Sequence, residues 1–364
     1  MLIEVVKRHI EDRSSYRVIA KRLRETTKSF ISKSTIHNYL KEVSLRSRSL
    51  KDMVKDLNPY LTGFLHLDGK GIKLKGRRKW ELTLFIAQDS VGLPVHQNLI
   101  EGENKLAIMN FLEVLKEEIK YPFRGIISDM SENIIYAVKE KMPEIPHQFC
   151  LTHLLRGIDR VINYQHIYNQ LSKLLRRLRS LKSVFVHPYL SKKPSLLREL
   201  KEIKQRIKVL KARHKDMLKL RRYLRVYVLS NSLNKVDNRL MKLKRLRIKF
   251  KRQRKITNFL NMLIKYRDNI FCHLKYSYMP YTNNLLENLI KQYERRLKTM
   301  EGFGHDLNAI EGYLNLMAIY HCFKPYTDCK EHNKRKNGKA PLELAGTSIK
   351  GLDWVRFSLR TNNS

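Results

Sequence analysis

Asp68, Asp129 and Glu287 are the residues whose placement in this chain could do chemistry. Asp68 follows a short apolar run in Phe64-Leu65-His66-Leu67-Asp68-Gly69-Lys70-Gly71. Asp129 closes a second run, Gly125-Ile126-Ile127-Ser128-Asp129, and Glu287 stands far downstream in Thr282-Asn283-Asn284-Leu285-Leu286-Glu287. Carboxylates converging from separate elements can hold hard divalent cations, which take oxygen ligands. Two such ions about 4 Å apart activate a nucleophile and stabilise the leaving oxygen of an in-line phosphoryl displacement. Each acid also has an ordinary explanation. Asp68-Gly69 is a favoured hairpin turn pair. Asp129 with Glu132 three residues on fits a variant capping box, and Glu287 three residues after Asn284 fits another. Glu294 rivals Glu287, because seven residues on a helix return to nearly the same face. Lys291 and Lys298 beside them are placed to meet phosphates or to pair with the two acids. Cys150 and His153, in Cys150-Leu151-Thr152-His153, are two ligands of the four a structural zinc needs, so no zinc is assigned.

The acids need elements to position them. Phe64 to Leu67, Trp80 to Ala87 and Pro94 to Ile100 read as strands of a meander, with turns at Asp68-Gly69 and Ser90-Val91-Gly92. A helix from Asn104 to Ile119, a strand ending at Asp129, a helix from Ser131 to Lys141 and a short strand at His147 to Cys150 follow. Three strands, helix, strand, helix, strand predicts an antiparallel meander extended by parallel strands, with helices packed on the sheet. Upstream, residues 1 to 44 read as three short helices, with Ser14-Ser15 before the second and Ser32 or Ser34 capping the third. Helix, turn, helix at this length can lay its last helix in a DNA major groove, with Lys33, Ser34, His37, Asn38 and Lys41 outward. A small packing module with a solvated polar face has the same pattern.

After Leu154 the strand signals stop. Residues 171 to 255 hold 30 Lys+Arg against 4 Asp+Glu, so this stretch carries 30 − 4 = +26 of the chain's formal +40. Leu and Ile recur there at helical spacing, which predicts long amphipathic helices with basic outer faces, interrupted near Pro188 and Pro194. Downstream, Thr282-Asn283-Asn284 looks like a cap for a helix with an apolar stripe from Leu285 to Met300. A mostly apolar helix follows from Leu307 to Tyr320. Pro341 to Leu344 and Trp354 suggest a tail that docks locally. A +40 charge on 364 residues is self-repulsion that a polyanion relieves, and nucleic acid gains a released counterion per neutralised phosphate. An anionic membrane or acidic protein explains the charge less well. Four scattered cysteines form no C-x-x-C pair, which suits a reducing compartment. No apolar run approaches the roughly 18 residues a membrane span needs. These features predict a cytoplasmic, nucleoid-associated protein with no small-molecule substrate.

The joint order of Asp68, Asp129, a helical insertion and Thr282-Asn283-Asn284-Leu285-Leu286-Glu287 resembles the DDE transposases of the RNase H-like superfamily. More narrowly it is similar to the Mutator-related group of prokaryotic insertion-sequence transposases. Cys150-Leu151-Thr152-His153 matches that group's C-x-x-H motif, and Thr282 to Gly302 matches the region around its Glu. The resemblance covers about residues 60 to 325. It implies an α/β fold: an RNase H-like mixed sheet flanked by helices, an N-terminal helix-turn-helix and a large basic all-α insertion. The implied divisions are 1–45 helix-turn-helix, 60–160 first part of the core, 161–280 insertion, 281–325 second part of the core and 326–364 tail. It further implies Asp68, Asp129 and Glu287 as ligands of two Mg²⁺ or Mn²⁺ ions. Cys150 and His153 would be structural or DNA-positioning. The partners would be double-stranded DNA, as element ends and target, and a second copy in a homodimer or larger assembly. A metal-dependent nuclease on the same fold and a catalytically inactive DNA-binding relic remain alternatives.

Overall fold

The computed structural model describes residues 1–28, 30–76, 82–102, 104–184, 193–276, 278–300 and 302–359, with side chains throughout except at position 332. Trp80 and Pro188 lie outside them. The chain forms two compact units, the first from Met1–Cys150 with Tyr278–Ser364, the second Leu151–Ser277.

The first unit is built on a five-stranded sheet: β1 (Phe64–Ile72), β2 (Leu82–Asp89), β3 (Pro94–Glu101), β4 (Gly125–Ser128) and β5 (His147–Phe149). Their order is β3-β2-β1-β4-β5. β1 pairs antiparallel with β2, as β2 does with β3, while β1–β4 and β4–β5 are parallel. This is the meander with parallel extension that the sequence predicts. One detail is corrected: Asp68-Gly69 is not a turn. β1 continues through it to Ile72, with Asp68 opposite Ile86 and Gly69 opposite Phe85. The long apolar β2 supplies a full ladder for these residues, so the Asp-Gly turn preference loses to pairing.

Helices cover both faces. α5 (Lys105–Glu113), capped by Asn104 and extended by a π-turn over Val114–Glu118, sets Phe111 edge-on to Phe85, with α6 (Glu132–Lys141) packed beside it. Residues paired across strands share a face, so Asp68, Ile86 and Gln97 form one row on the opposite side. That side meets α13 (Asn284–Leu297) and α14 (Leu307–Phe323). Tyr293 of α13 donates to Gln97 Oε1 at 3.1 Å, and the Gln97 amide donates to Asn315 of α14 at 3.0 Å.

α1 (Leu2–Ile10), α2 (Tyr16–Thr27) and α3 (Lys33–Leu45) form where expected, with Ser15 and Ser32 as working N-caps. A fourth helix, α4 (Leu50–Leu57), capped by Ser49, joins them. Lys33, Ser34, His37, Asn38 and Lys41 are all exposed, though Lys41 pairs with Asp306 at 2.8 Å. α3 lies directly on α14: a Cβ built on Gly312 would come within 1.8 Å of the Ser44 carbonyl oxygen. Buried Arg296 ties α1 to α13 and α14, donating to His9, to the Arg13 carbonyl at 3.0 Å and to the Tyr313 hydroxyl at 3.2 Å. The tail adds α15 (Pro341–Leu344) and α16 (Trp354–Ser358), whose Trp354 indole donates to Glu11.

The second unit is helical: α7 (Leu151–Ile162), α8 (Tyr164–Val184), α9 (Pro194–Val228), α10 (Leu233–Lys249), α11 (Arg254–Lys265) and α12 (Arg267–Ile270). Leu171 and Leu181 of α8 interlock with Ile203 and Ile207 of α9. Pro194 sits at the start of α9, where its missing N–H costs nothing.

Two predictions follow from this packing. Gly→Ala in a helix normally gains about 1 kcal/mol from propensity. In Gly312→Ala the clash with Ser44 reverses the sign, for a net loss of about 1–3 kcal/mol by chemical unfolding; a gain would show that α3 does not rest on α14. Burial also holds His9 at about 3 and His96 and His321 at about 4, below the ordinary 6.5. Below 6.5 the unfolded chain takes up protons that the fold refuses. Stability therefore falls from pH 6.5 toward 4, by up to about 1.4 kcal/mol per pH unit for each histidine. Melting temperatures at pH 7 and pH 5 check this, and equal values refute it.

Candidate active site

Parallel strands of an α/β sheet present their carboxyl ends as a rim where ligands bind. β4 ends at Ser128, just before Asp129, whereas Asp68 sits in the middle of β1, beyond the part that pairs with β4. The pairs of the two strands, Phe64 with Gly125, Leu65 with Ile126 and His66 with Ile127, share an offset of 125 − 64 = 61. Asp129 directly follows β4 and lies 129 − 68 = 61 residues after Asp68, the same offset, although the pairing itself ends at His66 with Ile127. Both acids are half-buried. Asp68 Oδ1 accepts the Gly69 N–H at 2.9 Å, and Asp129 Oδ1 accepts the Ser131 N–H at 2.9 Å. Asp129 therefore closes a short turn before α6 and is not its N-cap. Ser131 holds that position, which corrects the capping-box reading.

Glu287 arrives on α13, and Asn283 fixes where. Asn283 is fully buried and occupies the N-cap position, yet its side chain makes no capping bond, contrary to the cap expected from Thr282-Asn283-Asn284. Its amide nitrogen donates to the Leu67 carbonyl at 2.9 Å. Its carbonyl oxygen must then accept from His66 Nδ1 at 2.9 Å, which makes Nδ1 the protonated ring nitrogen. The other ring nitrogen meets the Ser90 hydroxyl at 2.9 Å, and burial pushes His66 down to about 4, so the ring is neutral. The Asn283 backbone N–H donates to Cys150 Sγ at 3.1 Å. The start of α13 is thus held by the residues just before Asp68 and by the end of β5. Glu287, whose N–H donates to the Asn283 carbonyl at 2.9 Å, follows one turn later and is buried. With Asn283 as N-cap, Glu287 is the fourth helical residue, not the third of a capping box.

Further along, Lys70 of β1 pairs with Glu294 of α13. His66, Asp68 and Lys70 alternate onto one face of β1. Since His66 meets Asn283 and Lys70 meets Glu294, Asp68 between them lies along the stretch of α13 that carries Glu287. Glu287 offers a carboxylate oxygen within 4.8 Å of Cys150 Sγ, and among the described residues Asp68, Asp129 and Glu287 are not gathered within that distance of one another. Glu294 is committed elsewhere: it also accepts Lys298 at 3.0 Å, and these two lysines hold its carboxyl below the usual range. Lys298 thus takes the ion-pair alternative, and Lys291 is exposed. Cys150 is buried, with its sulfur serving α13. His153 lies on α7 in the second unit. Sequence reasoning missed Asn283 and His66 as site-building residues. The signal was a buried-strand histidine two residues before Asp68, beside an Asn-Asn pair before Glu287.

Residues 134–310 match the family model of the IS66 transposases. The match supports a transposase. It runs from the first turn of α6 to the first turn of α14 and takes in Glu287, Cys150 and His153, with Asp68 and Asp129 upstream of it. The matched family is a different transposase group from the Mutator-related one that the motifs resemble. No curated protein matches the chain.

If the Asn283 side chain is a clamp and not a cap, Asn283→Ala strands the buried His66 Nδ1–H and the Leu67 carbonyl. The expected loss is about 2 kcal/mol or more of unfolding free energy. Asn283→Ser, a good N-cap residue, should not restore it. Restoration by serine would return Asn283 to the capping role.

Proposed function

We propose that the chain is a DDE-type transposase whose RNase H-like core carries Asp68, Asp129 and Glu287 as its catalytic acids. The observation that carries this reading is that Asp68 on β1 and Asp129 just after the parallel β4 keep the offset of that strand pair, with the helix of Glu287 pinned to β1 at His66 and Leu67 by Asn283. The strand order and the transposase family match support it.

The donor set is three carboxylates, a fit for hard cations such as Mg²⁺ or Mn²⁺. Two such ions, when bound, would activate the attacking oxygen and stabilise the leaving one. Asp68 and Asp129 hold their carboxylates on rigid backbone, and the Asn283 clamp sets the depth of Glu287. In this reading, water cleaves the phosphodiester at each element end. The freed 3′-hydroxyl then attacks a phosphodiester of target DNA. Lys33, Ser34, His37 and Asn38 on the exposed face of α3 would read end sequences through base edges. Lys41 would have to leave Asp306 to join them, and Lys291 would meet phosphates. Bringing two ends together calls for a dimer or larger assembly on DNA.

The test is cleavage and joining of DNA bearing the element's own flanking ends, with Mg²⁺ or Mn²⁺ present. Asp68→Asn, Asp129→Asn and Glu287→Gln are expected to bind the ends as wild type does while losing about 10²–10³-fold in rate, on the scale of removing one strongly stabilising group from an active site. Wild-type cleavage without joining would make the chain a nuclease. Binding without cleavage would make it a DNA-binding relic.

A further inference from the structure

The second unit holds a groove of about 380 Å³ where the end of α7, the start of α8, the middle of α9 and the start of α11 come together. Arg160, Arg213, Arg254 and Lys255 line it, with His166 among them and no acidic side chain. Four permanent cations in one groove repel one another. Neighbouring bases are neutralised locally: on the same α9, Arg221 grips Asp159 at 2.6 and 3.2 Å, and Arg225 reaches that carboxylate at 3.5 Å. Arg160, Arg213, Arg254 and Lys255 take part in no ion pair among the described residues. Buried Met217 and Ile256 form an apolar floor under the charged heads.

We infer that this groove is a seat for the phosphodiester backbone of duplex DNA, with Arg160, Arg213, Arg254 and Lys255 as its phosphate contacts. All four side chains are exposed, so the groove is open to solvent. A small free anion would be better held by an enclosed pocket; an open channel suits a chain that enters and leaves. Arginine forks match phosphate oxygens bidentately, and the apolar floor suits the sugars between phosphates. Repulsion among the four is relieved only when a polyanion lies between them. The inference rests on the DNA-acting reading of the chain and adds where the basic helical unit holds its partner.

The test measures affinity of the full chain for a labelled duplex of unrelated sequence across a salt series. Each lost phosphate contact lowers the slope of log K against log salt by about 0.9. The groove triple Arg160→Gln, Arg213→Gln, Lys255→Gln should lower it by about 2.7. A control triple on the exposed face of α10, Lys244→Gln, Arg245→Gln, Arg247→Gln, removes equal charge outside the groove and should leave the slope nearly unchanged. The charge-keeping double Arg160→Lys, Arg213→Lys should keep most of the slope, which separates lost contacts from a damaged fold. Equal slopes for the two Gln triples, or an unchanged slope for the groove triple, overturn the groove as the seat. Wild type that binds no duplex at low salt overturns the DNA-acting reading itself.

Discussion

The first unit depends on one buried carboxamide. The chain leaves this unit after Cys150 and returns at Tyr278, so the helix carrying Glu287 must find its place on a sheet completed well over a hundred residues earlier. Apolar packing alone would specify that placement poorly, because a helix can slide along a greasy face at little cost. Asn283 removes the freedom. Its amide and carbonyl are committed to Leu67 and His66 on β1, and its backbone N–H to Cys150 at the point of departure. A register shift of one residue would bury these groups without partners, at about 1–3 kcal/mol each. Polar satisfaction, not hydrophobic area, is what sets the position of Glu287.

The same face of β1 separates two kinds of charge. Asp68 and Lys70 stand two residues apart on it, and α13 brings Glu294 to Lys70 while the Glu287 carboxylate lies within 4.8 Å of Cys150 Sγ. Glu294 shares two lysines and is neutralised within the fold. Asp68 Oδ1 and Asp129 Oδ1 accept backbone N–H groups, those of Gly69 and Ser131, which orient the two carboxylates. The commitment of Glu294 to Lys70 and Lys298 is why Glu287, and not this helical neighbour, fits the catalytic reading.

Much of the fold was legible. The order of strands and helices came from changes of hydrophobic period, and the helix starts after Ser15 and at Ser32 came from residue type. α4 was equally legible, as Ser49 followed by Leu50, Met53, Val54 and Leu57, and went unread. Local preference misled at Asp68-Gly69, where a turn pair is overruled by the length of β2. It misled again at Asn283, whose side chain had a non-local use that no window of sequence contains. Acids could be nominated from apolar runs, but that Asp68 lies within β1 and Asp129 just past β4 follows from which strands pair and for how long, which no window of sequence contains.

The second unit shows how a fold and a charge excess are reconciled. Its helices bury narrow Leu and Ile seams, such as Leu171, Leu181, Ile203 and Ile207, and leave wide basic faces in solvent. Narrow seams yield little stabilisation per residue, and 30 bases against 4 acids between residues 171 and 255 subtract from it by repulsion. Two of those four acids pair between helices, Glu199 with Arg177 and Asp237 with Arg267, and Asp159, outside the stretch, pairs with Arg221. A sequence shaped for stability alone would spread acids over the outer faces as i,i+4 partners, each worth a few tenths of a kcal/mol. Their scarcity there leaves a charge excess that costs folding stability and that a polyanion partner would relieve.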